Sequence, residues 1–225
     1  MSYVNEYFDF LEQKFHDARE TQLENLDKAA DMIVKTVQAT GNFYVYGTGH
    51  SHMIAEELYT RAGGLRFVKA ILPPELMLHQ MYGKSTNLER LSGYAKAILD
   101  LYPVSDKDTF IIISNSGRNS ATIEMCTEAQ RRGAKVIAIT SLKHSNAVEA
   151  RHTSGKRLFE IADLVIDNQS EYGDAAFMVD GAQGPIGATS TFIGVALVQA
   201  LTVIITEKLV AAGMPPEATK SANAN

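Results

Sequence analysis

The amino-acid sequence predicts an α/β protein, a three-layer αβα sandwich around a parallel sheet, and three observations carry that expectation. Short and almost wholly apolar segments recur at 42–47 (NFYVYG), 108–114 (DTFIIIS) and 134–141 (AKVIAITS). Between them lie stretches with apolar residues at helical spacing. The apolar segments lack the in-and-out alternation of a sheet wetted on one side, so helices should cover both faces.

In chain order, Tyr7, Phe8, Leu11 and Phe15 recur at helical spacing, and Leu26, Ala29, Ala30, Ile33, Val34 and Val37 do so again before Gly41 supplies a stop. These two helical segments are expected to form an arm over residues 1–40 that packs on the domain or on a partner. The strand at 42–47 is followed by a helix from about Ser51 to Ala62, a strand RFVKAI at 66–71 and a helix around 87–101. After the strand at 108–114 come a helix near 120–132, the strand at 134–141, a polar stretch and a last strand, DLVIDN, at 163–168. A turn-rich GAQGPIG at 181–187 precedes an apolar helix over 189–209, and the GMPPEATKSANAN tail is expected to fray or dock. The expected division is an arm at 1–40, one ligand-binding domain at 41–212 and a tail at 213–225.

Composition narrows the function classes. The 225 residues suit one domain, with 45% hydrophobic and 21% charged residues near the globular average. A net charge of -5 gives no general attraction to nucleic acid or anionic lipid, so an anion must be bound locally. The first 40 residues show no helix-turn-helix or basic recognition helix, and no nucleic-acid partner is expected. One cysteine, Cys126, allows no internal disulfide and agrees with a cytoplasmic setting; on a helix that packs against the sheet it is expected to be inert. Glu6, Asp9 and Glu12 among the first aromatics are unlike a signal peptide. The apolar stretch at 192–205 is interrupted by Gly194, Gln199 and Thr202 and falls short of the ~20 residues a membrane span needs, so a buried helix is expected there.

Ligands of such sheets bind beyond the carboxyl ends of the strands, and two loops there are unusual. The first is Gly47-Thr48-Gly49-His50-Ser51-His52. Its glycines allow close backbone approach, Ser51 offers a hydroxyl at a helix start, and free N–H groups favour an anion; a purely structural turn is the alternative. The second is Ser114-Asn115-Ser116-Gly117-Arg118-Asn119. Its small hydroxyl and amide side chains around a glycine at a helix N-terminus suit phosphate oxygens, whereas ordinary capping needs only one of them. Neither loop has the Gly-Lys-Ser/Thr of a nucleotide triphosphate loop or a spaced G-x-G-x-x-G. Two anion-suited loops on neighbouring strands would grip one end of a small phosphorylated ligand and leave the other for chemistry, as a sugar phosphate requires.

These loops, with Glu124 downstream of ISNSGRN, resemble the sugar isomerase (SIS) domain. The helix Ala55-Glu56-Glu57-Leu58 with Arg61 looks like the AEEL-x-x-R helix of phosphoheptose isomerases. Closer still, GHSHMIAEELYTRAGGL, ISNSGRN, RHTSGK and DN followed by YGDA look like a bacterial family of stand-alone SIS proteins. The resemblance spans residues 41–209. It implies a five-stranded parallel sheet of flavodoxin-like order and a homodimer or homotetramer with sites at subunit interfaces. It also puts Ser51, Ser114, Asn115, Ser116 and Asn119 on phosphate-binding positions and Glu57 on the position of the catalytic base. Two departures stand out: Asn115 and Asn119 replace serine or threonine, and the last long helix lacks the histidine that phosphoheptose isomerase carries there.

Aldose–ketose isomerisation needs a base for a carbon-bound proton and an acid or shuttle between oxygens. Glu57 is the expected base, with a helix-surface or inter-subunit ion pair as the alternative role and Glu56 its neighbour. Of the six histidines, His79 and His52 are ranked first as the acid; His50 and His52 lie in the first loop, His144 and His152 after the strand at 134–141, and His16 is expected on the surface. Arg118 is expected to fork onto an anion or a sugar hydroxyl. Thr140 and Ser141 lie at the mouth of the sheet, where capping is the alternative, and Asp174 either orients a hydroxyl or sits in an exposed turn. His50 and His52 lack a third ligand nearby, so neither a metal nor a cofactor is expected. The expected function is a sugar-phosphate isomerase; an amino-sugar phosphate etherase or lyase and a non-catalytic phosphosugar sensor are its rivals.

Overall fold

The structure, a computed structural model, describes residues 2–223. The N-terminus forms one helix, α1 (Ser2–Gln38), rather than two. No glycine or proline occurs before Gly41, so nothing between the two apolar stretches breaks the ladder of helical hydrogen bonds. The two stretches pack on different partners. Tyr7 and Phe10 meet Phe177, the Tyr7 ring edge-on at 5.2 Å, while Leu26, Ala29, Ala30 and Ile33 are buried in the main core.

Strands β1 (Phe43–Gly47), β2 (Val68–Ile71), β3 (Thr109–Ile113), β4 (Lys135–Thr140) and β5 (Leu164–Asp167) form one sheet in the order β2-β1-β3-β4-β5. Every pair in it is parallel. The order reverses between β1 and β3, which makes their carboxyl ends the switch point where a ligand crevice forms. Alternate side chains enter two cores. Phe43, Val45, Ile111, Ile113, Ile137 and Ile139 pack with α1, α2 (His50–Leu58) and α7 (Ser190–Ala211). Tyr44, Tyr46, Phe110, Ile112 and Val136 pack with α4 (Tyr94–Leu99) and α5 (Ser120–Arg131). Each fully buried aliphatic side chain contributes about 1.5–3 kcal/mol, which is why strands this apolar sit only inside a three-layer sandwich.

Two helices are shorter than the periodicity suggests. α2 ends at Leu58, because Tyr59 is extended and Thr60 and Gly63 are left-handed as the chain turns back toward β2. The helix expected around 87–101 is two pieces, α3 (Lys84–Leu88) and α4, separated at Gly93, whose φ is 83° and whose N–H donates to both oxygens of the Glu124 carboxylate at 2.8 Å. That break leaves Glu89 as the C-cap residue just past α3, at the mouth of the sheet. Beyond β4 lies α6 (Leu142–Asn146), and beyond β5 a small antiparallel hairpin, β6 (Ala175–Phe177) with β7 (Ile186–Ala188).

By length and apolar composition α7 could cross a membrane. In this fold it lies against α1 and α2 and buries Ile193, Leu197, Val198, Leu201, Ile205 and Leu209. Lys208 ties it to Asp27 and Asp31 of α1 at 2.8 and 2.6 Å. Its outer side, with Phe192, Val203 and Val210, is exposed, as are Val4, Phe8, Phe15 and Leu23 of α1. The tail docks: Leu65 pairs with Ala218, and Arg66 bonds to the Glu217 carboxylate at 2.7 Å.

Candidate functional site

A cleft of about 290 Å³ opens where β1 and β3 end. Its walls are the loops after those strands, the α3 segment, and residues around His144 and Asp174. The β1 loop turns tightly: a Cβ on Gly47 would lie 2.4 Å from the carbonyl oxygen of Ser51, so no side chain fits there. Gly49, His50 and Ser51 line the cleft, while Gly47 sits behind them.

In the β3 loop, Ser114, Asn115, Ser116 and Asn119 line the cleft. Gly117 turns the chain with φ 58°, and its N–H donates to Ser114 Oγ at 3.2 Å. Asn119 holds the N-cap position of α5 without capping it. Its amide instead donates to Glu89 Oε1 at 2.8 Å, and its Oδ1 accepts from Arg151 at 3.0 Å. The N-terminus of this 12-residue helix is thus uncapped by the Asn119 side chain, and its dipole favours an anion nearby. Asn115 is wired into the scaffold, its Oδ1 accepting from Asn168 at 3.0 Å and Ser170 at 2.8 Å.

Glu89 is one of two carboxylates lining the cleft, with Asp174, and the motif-based reading missed it. Thr48 donates to its Oε2 at 2.6 Å and Asn119 to Oε1, and the N–H of Ala121 bonds to its carbonyl. Burial raises its pKa above the ordinary carboxylate value, and hydrogen bonds from Thr48 and Asn119, with the charges of Arg90 and Arg151, oppose that rise. A carboxyl whose pKa is raised in this way takes up a proton more readily than an ordinary carboxylate, as a group that removes and returns a proton must. No local motif marks it; the helix break at Gly93 and the hydrogen bond to Thr48 become visible only in three dimensions.

His144 is the second titratable group of the cleft. The Gly173 N–H donates to its Nδ1 at 2.8 Å, so in the neutral ring Nε2 carries the proton. Burial lowers its pKa, nearby Arg118 lowers it further, and Asp174 opposes both. His50 lines the cleft and is exposed. His52 is 2% exposed, its Nε2 3.7 Å from Glu56, and His79 is exposed; neither lines the cleft.

Glu57 lies elsewhere. It faces Arg61, to which it is paired, and its Oε1 accepts from Gln199 of α7 at 2.8 Å, on the α2–α7 side outside this cleft. Thr140 and Ser141 are buried and structural in their contacts: Thr140 donates to the Asn115 carbonyl at 3.2 Å, and Ser141 donates to Ser170 and caps α6 by accepting from the His144 N–H. Asp174 lines the cleft and holds the start of α7, accepting from the N–H groups of Thr189 and Ser190 and from Ser190 Oγ at 2.6–3.0 Å. Cys126 is buried and its thiol is pushed up to about 12 by burial, so it is no nucleophile. Among the described residues no group of three or more His, Cys, Asp or Glu could hold a metal ion.

Comparison with known proteins agrees with this architecture. The model of the SIS domain matches residues 6–141, reaching further into α1 than the resemblance first drawn from 41–209. The UPF0309 protein BH3325 of Halalkalibacterium halodurans is 50% identical over 222 residues, covering 99% of this chain and 92% of that protein. Among solved structures, the phosphoheptose isomerase of Neisseria gonorrhoeae matches with TM-score 0.63 at 17% identity, over 91% of this chain and 97% of its own. That of Francisella tularensis matches with TM-score 0.61 at 19% identity, over 91% and 96%. At that identity the likeness to the isomerases is one of fold. With its five-stranded parallel sheet and the cleft at its switch point, the chain belongs to the SIS domain family and, within it, to the UPF0309 proteins.

Proposed function

We propose that this chain binds a sugar phosphate in the cleft and moves a proton at the carbon beside the sugar's carbonyl, as an aldose–ketose isomerase does. The observation that carries this reading is the Glu89 carboxyl, which lines the cleft among serine, threonine and asparagine side chains and is raised in pKa by burial. The hydroxyls of Ser51 and Ser116, near the positive end of α5, hold the phosphate. Glu89 takes the proton from carbon, the electron pair forms the enediol, and the same carboxyl returns the proton to the neighbouring carbon. Nε2–H of His144 serves the oxygens. These steps call on acid–base groups alone.

Glu57 keeps a place in this reading as a base supplied by a second subunit. Its carboxylate lies outside its own chain's cleft, near an apolar face on α1 and α7 suited to pairing copies of this chain as a homodimer or homotetramer. An amino-sugar phosphate etherase would begin with the same proton abstraction, and a sensor would bind without it.

The test is proton NMR in D₂O with a panel of aldose and ketose phosphates, on wild type, Glu89→Gln and Glu57→Gln. Deuterium entering beside the carbonyl, with aldose and ketose interconverting, supports the isomerase. Exchange followed by loss of a substituent points to the lyase. Saturable binding without exchange across the panel overturns the enzyme reading in favour of the sensor.

A further inference from the structure

The turn that follows β5 holds the His144 ring from two sides. The torsion that rotates an imidazole about its stem is broad, so a ring that must present one nitrogen has to be fixed from outside. The Gly173 N–H meets Nδ1 at 2.8 Å. The Tyr172 ring packs against the imidazole, with centroids 5.3 Å apart and planes 31° from parallel. With Nδ1 occupied and a neighbour on the ring, Nε2 is the nitrogen left for a ligand. His144 and Gly173 line the cleft, and Tyr172 stands behind them.

The turn itself is fastened to three helices. The Asp174 N–H donates to the Glu171 carbonyl at 2.9 Å and closes residues 171–174, with Gly173 and Asp174 left-handed at φ 77° and 71°. Aspartate is one of the few side chains that enter this conformation at modest cost. The Glu171 carboxylate pairs with Lys14 of α1 and Lys143 of α6, and the Asp174 carboxylate holds the start of α7. Ser141, which caps α6 by accepting from the His144 N–H, donates to the Ser170 carbonyl at 2.6 Å. The backbone and the ring of His144 are therefore both tied to this turn. Tyr172 is 62% exposed, so replacing it tests the contact with His144 without opening the core.

We propose that Tyr172 is a positioning residue that acts through His144, holding the imidazole so that Nε2–H is presented to the sugar oxygens. The inference rests on the isomerase reading of the cleft and names what orients its proton shuttle. In such a reaction the carbon proton and the oxygen protons move separately. A carboxyl that has taken the carbon proton can return it to the same carbon and regenerate the starting sugar, unless a proton has meanwhile passed between the oxygens. A misplaced His144 should thus leave exchange running while conversion slows.

Two readouts on wild type, Tyr172→Ala, Tyr172→Phe and His144→Gln test this. The first is proton NMR in D₂O with the aldose and ketose phosphates, which compares deuterium in recovered starting sugar with sugar converted. Tyr172→Ala is expected to raise that ratio about tenfold, in the direction of His144→Gln, and Tyr172→Phe, which keeps the ring, to hold it within about twofold of wild type. The second needs no substrate and follows the His144 ring signals as pH changes, assigned by their loss in His144→Gln. Burial and Arg118 lower the His144 pKa and Asp174 opposes them, while Glu171 and Lys143 nearby are paired with each other. Removing Tyr172 uncovers the ring, so the pKa should move up toward the ordinary histidine value in Tyr172→Ala and stay in place in Tyr172→Phe. Either readout unmoved in Tyr172→Ala, or moved as far in Tyr172→Phe, overturns the role of Tyr172 while exchange in wild type leaves the isomerase reading standing. Absence of exchange with every sugar in wild type overturns both together.

Discussion

Two carboxylates of this chain, Glu57 and Glu89, stand in contrasting surroundings. Glu57 belongs to a recognisable AEEL helix and is paired with Arg61 and Gln199 on the α2–α7 side. Glu89 belongs to no motif, yet it lines the cleft, accepts hydrogen bonds from neutral side chains, and has its pKa raised by burial. Burial that raises a carboxyl's pKa suits it to gaining and losing a proton, and only Glu89 shows that rise. A motif can thus report where a family keeps a carboxylate without showing which cleft it serves.

The largest expected effect tests that contrast directly. Glu89→Gln should slow deuterium exchange by about 10²–10⁴, the usual contribution of a positioned general base. Because burial raises the Glu89 pKa, ionising it costs stability as pH rises through that value, so the variant should melt no lower than wild type at about pH 8, by calorimetry. If Glu57 serves a neighbouring cleft, Glu57→Gln is also slow, and an equal mixture of the two variants, refolded together, recovers about a quarter of wild-type exchange. That is the share expected when half the dimers are mixed and one of their two sites is whole. A mixture no faster than its components confines catalysis to one chain.

Next in size is the turn that both carboxylates depend on. Gly47→Ala forces a Cβ to within 2.4 Å of the Ser51 carbonyl, backbone against backbone, and should destabilise the fold by about 3 kcal/mol in denaturant titration. A loss below about 1 kcal/mol would mean that the β1 loop is free to shift. Thr48→Val removes a hydrogen bond that lowers the Glu89 pKa. The ionised base should then appear only at higher pH, and the acid limb of the exchange profile should move upward by about half a unit to one unit. The smallest effect belongs to the Glu57–Arg61 pair. Arg61 is half exposed, so Arg61→Gln should cost only about 0.5 kcal/mol in the same titration. A larger loss would indicate that the pair is buried against another subunit.

The five strands and the two cleft loops were legible in the sequence because each is a local pattern: a run of apolar residues fit only for a covered sheet, then glycines and hydroxyls where a helix begins. The loop residues Gly49, His50, Ser51, Ser114, Asn115, Ser116 and Asn119 line the cleft by virtue of that local order alone. The single long α1 was also within reach, since no breaker occurs before Gly41. Of the two histidines expected to act as the acid, His52 is packed away from this chain's cleft and His79 is exposed outside it, on a segment expected to reach a neighbouring site; His144, reached through α6, faces the cleft beside His50.

By itself, then, the amino-acid order determined the layers, the parallel sheet and the anion-suited loops, because periodicity and turn chemistry act over a few residues. Only the tertiary structure decided which titratable groups meet. Glu89 reaches Thr48 across 41 positions and Asn119 across 30, and Arg151 reaches Asn119 across 32. Those encounters depend on how chain crossings fold back over the end of the sheet, and burial, which tunes a carboxyl, is a property of the whole packed molecule rather than of any segment.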